Sequence, residues 1–148
     1  ERFPVSAPPP NLPERAGGAQ AVVHMLDGAK AVAFISTTDT ETARHFYGTV
    51  LGLHLTQDPF ALVARIGDAM VRITTLPGFK AGQHPVFGFA VDDIAASAQQ
   101  LAAHGVALIR YDFLGDAQGP DGIWTGPDGT KVAWFNDPDG NLLSLTGR

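Results

Sequence analysis

The feature that most constrains the fold is an internal repeat. A β-rich run from Val32 leads to a helix-capping Asp39, and the same pattern returns from Val86 to Asp93, displaced by 54 positions. A strand-helix-strand-strand-strand unit this small cannot cover both faces of its own sheet, so repeated units of this kind pack together. The sequence therefore predicts an internal duplication, with two similar modules that curl around a shared cavity.

The first module, residues 31–77, has the predicted order β-α-β-β-β. Its strand candidates are residues 31–36, 53–57, 60–66 and 69–76. Its helix is predicted to begin at Asp39 or Thr40 and to end at Gly52, with apolar residues at i, i+3, i+4 and i+7 on one face.

The second module, residues 84–148, repeats this order and ends in a meander. We predict a strand over residues 86–91, a helix from Asp93 to Gly105, and a strand over residues 106–111. Pro-Asp-Gly triplets that begin at Pro120, Pro127 and Pro138 then separate the strand candidates 123–125, 131–136 and 141–146.

The last of these triplets predicts a β-hairpin with a defined turn. Asp137 can cap the turn through its side chain, Pro138 suits the second position of a type I turn, and Gly140 supplies a positive φ.

Residues 1–30 differ from the body of the chain. Five prolines within residues 4–13 favour an extended polyproline conformation, and residues 21–26 are apolar. We predict a Pro-rich N-terminal extension that is disordered at first and then packs against the body.

Composition narrows the class of protein. The 148 residues include no cysteine, which excludes a disulfide scaffold and a thiolate metal site. A net charge of −5 without a basic cluster argues against nucleic acid as a partner. No apolar run approaches the ~20 residues of a membrane span, and no signal peptide is visible, so we expect a cytoplasmic protein.

Several motifs together resemble the vicinal oxygen chelate superfamily, which includes glyoxalase I, bleomycin-resistance proteins and extradiol dioxygenases. They are the pair Phe46-Tyr47 followed by Leu51-Gly52, the restart at residues 89–94, and the run from Asp137 to Asn141. The resemblance covers residues 31–147. It implies an α+β fold in which two βαβββ modules form curved mixed β-sheets around a cavity, usually in a homodimer.

In metal-dependent members, the resemblance implies ligands on the first and last strands of each module. The matching positions here are Val32, about Arg72, Val86 and Ser144. Valine has no donor atom, a guanidinium repels a cation, and a lone hydroxyl is a weak ligand. We therefore expect no metal and no cofactor.

Strand alternation from these positions selects residues that face the cavity. Arg72 is the one charge among them, and it either meets an acid or awaits an anionic ligand. Neighbours in a strand point oppositely, and we favour Trp134 over Phe135 as the inward one. Core packing is the competing interpretation of each aromatic residue. The predicted ligand-binding residues are Phe34, Ser36, Arg72, Thr74, His84, Tyr111, Trp134 and Ser144.

Three functions remain open. One is a metal-free protein that binds a small apolar or aromatic molecule, as bleomycin-resistance proteins do. The second is a metal-dependent enzyme of the glyoxalase or dioxygenase kind, against which the missing ligands weigh. The third is a metal-independent enzyme that uses Arg72, His84, Tyr111 or Ser144 as acid or base. We favour the first.

Overall fold

Two four-stranded mixed sheets make up the fold of the computed structural model, which describes residues 24–148. Most of the predicted Pro-rich extension, residues 1–23, lies outside the described residues. From residue 24 to 31 the chain forms turns and coil, and the side chains of Met25 and Leu26 are exposed.

The first module is a sheet with the strand order β1-β4-β3-β2. The outer strand β1 runs parallel to β4, and the other two pairs are antiparallel. Its elements are β1 (Val32–Thr37), α1 (Thr40–Arg44), a π-helical turn (His45–Val50), β2 (Leu55–Gln57), β3 (Leu62–Ile66) and β4 (Ala69–Thr75).

The second module repeats this topology with the order β5-β8-β7-β6, and β5 is parallel to β8. The predicted α+β fold of two βαβββ modules is therefore confirmed. The elements are β5 (Pro85–Ala90), α2 (Ile94–Ala103), a 3₁₀ segment (Asp112–Ala117), β6 (Trp124–Thr125), β7 (Lys131–Asn136) and β8 (Leu142–Gly147).

The duplication extends to the helix caps. The Asp39 carboxylate accepts a hydrogen bond from the Thr42 amide at 2.8 Å, and the Asp93 carboxylate accepts one from the Ala96 amide at 2.9 Å. Both bonds satisfy an amide that the first helical turn leaves without a partner. The same local chemistry therefore starts the helix in each module.

The first helix differs from the continuous α-helix that its apolar stripe predicts. After Arg44 it widens into the π-helical turn, in which the Leu51 amide donates to the Phe46 carbonyl at 2.9 Å. Phe46 and Tyr47 are nevertheless buried, as the stripe predicts.

The predicted strand over residues 106–111 is wrong. This segment makes one backbone bond to a strand, from the Ile109 amide to the Trp134 carbonyl at 2.8 Å. The Gln118 side chain takes up the Ile109 carbonyl and the Tyr111 amide, so a neighbouring strand has little left to pair with. The segment is an irregular coil that runs beside β7.

Each sheet buries one face beneath the helices and leaves the other open. On β1, Ile35 is buried while Phe34 is 69% exposed, and on β7 Phe135 is fully buried while Trp134 is partly exposed. This alternation follows from the period of two in a strand. The helix-side faces of both modules form one continuous apolar core.

The β7–β8 turn has the predicted geometry. Gly140 has φ of 86°, and the Asp137 carboxylate accepts hydrogen bonds from the amides of Asp139 at 2.9 Å and Asn141 at 2.8 Å. The predicted hairpin is confirmed.

This turn also joins the two modules. The buried Asp137 accepts a bond from the Tyr47 hydroxyl at 2.6 Å, and the Asn141 side-chain amide donates to the Ser36 carbonyl at 2.8 Å. Asp139 accepts from the Thr38 amide at 2.8 Å. Burial, followed by the nearby Asp137 carboxylate, raises the pKa of Tyr47, so its hydroxyl remains a donor.

We expect Tyr47→Phe to lower the free energy of unfolding by roughly 1–3 kcal/mol, because a buried carboxylate oxygen loses a donor. Tyr111→Phe is the matched control, since Tyr111 is the only other tyrosine of the chain and its hydroxyl makes no hydrogen bond within residues 24–148. Urea unfolding of the three proteins measures the difference. Equal stability of both variants and the wild type would contradict the role of this bond.

Candidate ligand-binding groove

Aromatic rings cluster on the open face of the second sheet. The ring centroid of Trp134 lies 5.4 Å from that of Tyr111 and 6.3 Å from that of Trp124. The planes of Tyr111 and Trp134 meet at 82°, the edge-to-face arrangement that aromatic quadrupoles favour. Phe113 extends the cluster, with its centroid 5.3 Å from that of Tyr111.

These rings line an open groove of about 430 Å³. That volume falls within the roughly 300–1,000 Å³ that is typical of small-molecule sites. A lining of mostly aromatic and aliphatic side chains is also typical of such sites. No carboxylate and no ammonium group of residues 24–148 lines the groove. Its lining residues are Gln83, Pro85, Tyr111, Phe113, Leu114, Trp124, Trp134 and Leu142.

The sheet register places Trp134 beside small residues. Trp134 is the cross-strand partner of Ser144, and Ser144 is in turn the partner of Gly88. A Cβ at Gly88 would lie 2.5 Å from the Ser144 Oγ, so any larger residue at position 88 would require the serine side chain to move. Trp134 lies on the open face of the sheet beside these two small residues, whereas Phe135 points into the core.

Gln118 fixes the segment that carries Tyr111. Its side chain is buried, and its Nε2 donates to the carbonyls of Ile109 at 2.7 Å and Gly122 at 2.8 Å. Its Oε1 accepts from the Tyr111 amide at 2.8 Å. A primary amide is suited to this site because it supplies two donors and an acceptor at once.

The sequence-based predictions missed Gln83, Pro85, Phe113, Leu114 and Trp124, which line the groove, and Gln118, which supports it. Trp124 could have been found from the sequence. The turn at Asp128 pairs it with Val132 of β7, and Trp134 lies two residues further along that strand on the same face. Gln118 could not have been found from the sequence, because nothing in the sequence indicates that a glutamine in a Gly-rich loop is buried.

The family comparison matches a model described as "Glyoxalase/Bleomycin resistance protein/Dioxygenase superfamily" over residues 21–145. That match spans most of the chain and both modules. The chain belongs to this superfamily. The motifs around Phe46 and Asp137 on which the resemblance rested are therefore those of a member of the superfamily.

Solved structures with the same fold include three of known source. A superfamily member from Sphaerobacter thermophilus DSM 20745 is 23% identical, with a TM-score of 0.63, and the match covers 80% of this chain and 96% of that chain. A glyoxalase family protein from Enterococcus faecalis is 19% identical, with a TM-score of 0.64 and coverages of 82% and 99%. Lactoylglutathione lyase from Agrobacterium tumefaciens is 18% identical, with a TM-score of 0.62 and coverages of 81% and 93%. At these identities the likeness shows the fold.

No curated protein matches the chain. Among residues 24–148, no helix is both long enough and apolar enough to cross a membrane.

Seven of the eight predicted binding residues of this superfamily member fall into two groups. Tyr111, Trp134 and Ser144 lie together on the second sheet, and the first two line the groove. Four others lie on the open face of the first sheet, where Phe34 pairs with Arg72 and Ser36 pairs with Thr74. None of these four lines the groove, so a single chain does not bring all the predicted residues together.

Arg72 is paired with an acid. Its guanidinium donates to the Asp58 carboxylate at 2.7 Å, and both side chains are partly buried. The backbone amide of Phe60, and after it the Arg72 guanidinium, hold the pKa of Asp58 below its ordinary value. Of the two alternatives for Arg72, this structure shows the ion pair.

The positions where the superfamily resemblance implies metal ligands do not offer a ligand set. Val32 and Val86 have no donor atom, Arg72 is held by Asp58, and Ser144 contributes one hydroxyl. Within residues 24–148, no three His, Asp or Glu side chains gather closely enough to hold a metal ion. These residues do not fit a metal of the kind that the enzymes of the superfamily use.

His84 does not line the aromatic groove. It lies directly before β5, is exposed, and its imidazole fills the space beside Gly82. The other four histidines are exposed as well. Nothing in the structure connects an imidazole with the aromatic cluster.

We expect Arg72→Met to raise the pKa of Asp58 part of the way toward its ordinary value of about 3.9. The rise is partial because the Phe60 and Ala61 amides still bind the carboxylate. Since the folded pKa is lowered, ionised Asp58 stabilises the protein above its ordinary pKa, and this contribution is lost as the pH falls through the folded value. Titration of the side-chain carboxyl ¹³C signals by NMR measures the pKa of Asp58 in the wild type and in the variant.

Asp128 is the internal control for that titration. Its pKa is lowered by the backbone amide and then the hydroxyl of Thr130, far along the chain from Arg72, and it should be the same in both proteins. An unchanged pKa of Asp58 in the variant would show that the ion pair is not maintained in solution.

Proposed function

We propose that this superfamily member binds a small apolar or aromatic molecule in the groove of the second sheet and does so without a metal. The observation that carries the proposal is the cluster of Tyr111, Trp124 and Trp134 around an open groove of small-molecule size. Three exposed or half-exposed aromatic rings on one sheet face offer a stacking surface that water does not satisfy.

The polarity of the groove supports an uncharged or weakly polar ligand. Its polar side-chain groups are the Gln83 amide, the Tyr111 hydroxyl and the indole N–H groups of Trp124 and Trp134, and no charged side chain of residues 24–148 lines it. A ligand with a buried charge would lose hydration without gaining a counter-ion. Arg72, the one predicted anchor for an anion, is engaged by Asp58 on the other sheet.

The enzymatic alternatives find less support in the geometry. General acid-base chemistry needs two groups within hydrogen-bond reach of one substrate. Of the candidates, Arg72 is ion-paired, His84 lies outside the groove, and Tyr111 has no acidic or basic neighbour in the lining. A metal-dependent reaction would need ligands that the positions of Val32 and Val86 do not supply.

We also propose that the protein forms a homodimer in which each copy covers the groove of the other. The support is that the open face of the first sheet exposes Val32 and Phe34, which are 48% and 69% exposed. Each copy carries both this apolar face and the aromatic groove. In a dimer with twofold symmetry, the apolar face of each copy can therefore contact the groove of the other. Phe34, Ser36, Arg72 and Thr74 of one copy would then face Tyr111, Trp134 and Ser144 of the other.

Ligand binding is tested by calorimetric titration of the wild type with neutral and acidic aromatic compounds, among them naphthalene derivatives and indoles. We expect Trp134→Leu to weaken binding of neutral members by about tenfold or more, because it removes both stacking and buried area. Phe60→Leu is the control, since Phe60 is 81% exposed and lies in the β2–β3 connection, outside the groove.

The wild type carries its own reporter of the site. The chain has two tryptophans, Trp124 and Trp134, and both line the groove, so bound aromatic compounds should change the intrinsic fluorescence. A wild type that binds no member of the panel would sink the proposed function. Equal weakening by the Trp134 and Phe60 variants would place the ligand elsewhere.

Light scattering coupled to size exclusion tests the dimer, with an expected mass of about twice 15.6 kDa. Phe34→Lys should shift the mass toward the monomer, because its ammonium would lie across from Arg72, whose partner Asp58 is already engaged, and could not be buried without a partner of its own. Gln99→Lys adds the same charge to the exposed side of α2 and should leave the mass unchanged. A monomeric wild type at micromolar concentration rules the dimer out.

A further inference from the structure

The 3₁₀ segment Asp112–Ala117 crosses one side of the groove and contributes no buried residue to the core. At its ends the Leu114 amide donates to the Tyr111 carbonyl at 3.0 Å and the Gln118 amide donates to the Gly115 carbonyl at 3.2 Å. Segments that bury little of their surface open at low cost. The segment is thus lightly attached to the body.

Its base, in contrast, is fixed. Gln118 ties the chain before the segment, at Ile109 and Tyr111, to the chain after it, at Gly122. The Arg110 guanidinium adds a bond to the Gly119 carbonyl at 2.6 Å. The residues on either side of the segment are thus fixed to each other, while the segment itself is free to move as a small hinged unit.

The tip carries an aromatic side chain that nothing covers within a single copy of the chain. Phe113 lines the groove beside Tyr111, yet it is 83% exposed. Leaving an aromatic ring in water at the rim of an apolar groove is unfavourable, and a ligand in the groove would offer it a surface. Leu114, which is partly buried, lines the groove from the same tip.

Gly115 gives the segment a hinge. Its φ of 53° and ψ of −138° interrupt the 3₁₀ turns in a conformation that residues with a Cβ rarely adopt. No other atom lies within 4 Å of the position that a Cβ would take, so the backbone conformation, and not crowding, calls for glycine here. Hinges are commonly a few such positions at the ends of short elements.

We propose that Asp112–Ala117 is a flap, and that Phe113 closes over a ligand stacked on Trp134 and Tyr111. This inference rests on the proposed function and adds to it a residue that sets how long the ligand is retained. The flap adds contact after the ligand has entered, so its loss is expected mainly in the dissociation rate. The bound molecule is then an aromatic one held on two sides.

The test uses the full chain and the uncharged fluorophore N-phenyl-1-naphthylamine as the probe, and stopped flow follows its binding and release through energy transfer from the two groove tryptophans. Phe113→Ser should raise the dissociation rate by about tenfold, since burial of a phenylalanine is worth a factor of at least that order. Its association rate should stay within about twofold of the wild type. Phe60→Ser is the matched control, because Phe60 is exposed to nearly the same extent and lies outside the groove.

Hydrogen exchange gives a second, independent measurement on the wild type. The amides of residues 112–117 should exchange more slowly with the probe bound, whereas those of the β2–β3 connection should not change. A slower exchange at both places would indicate general stiffening and would count against a flap.

The outcomes separate the flap from the site beneath it. Probe binding with equal dissociation rates for wild type and Phe113→Ser overturns the flap and leaves the proposed function standing. An altered oligomeric state of Phe113→Ser would make this residue a subunit contact and would also overturn the flap. Absence of energy transfer in the wild type would overturn the proposed function, and the flap with it.

Discussion

The structure depends on one buried carboxylate. Asp137 shapes its own turn by accepting bonds from the amides of residues 139 and 141, and it reaches the first module through the Tyr47 hydroxyl. A buried charge is stable only when several donors surround it, and here the donors come from both modules. The two halves of the duplication are consequently held in one relative position, since a shift between them would leave the charge without its partners.

The aromatic groove is a consequence of that arrangement and of one amide. The turn at Asp137 aligns β7 with β8, which sets Trp134 opposite Ser144 on the open face. Gln118 then folds the connecting segment back so that Tyr111 meets Trp134 edge to face. A sheet alone would present a flat row of side chains, whereas the folded-back segment supplies the second wall that makes a groove.

Periodicity and turn chemistry carried most of what could be predicted from the sequence. The caps at Asp39 and Asp93 and the hairpin at Gly140 are local features, and the superfamily and fold they indicated are confirmed. The strand predicted over residues 106–111 failed because a distant side chain, Gln118, took its hydrogen bonds. The partner of Arg72 was not predictable either, because the register alone does not show that the β2–β3 connection brings Asp58 to it.

The duplication also bears on stoichiometry. Displacement by 54 positions relates Phe34 to Gly88, and these two are the cross-strand partners of Arg72 and Ser144 respectively. One sheet thus carries a bulky ring and an ion pair where the other carries a hydrogen atom and a hydroxyl. The similarity between the two modules is therefore lost at these outward-facing positions. Within residues 24–148 only the second sheet carries the aromatic groove, so under the proposed function saturation is expected at one molecule bound for each chain.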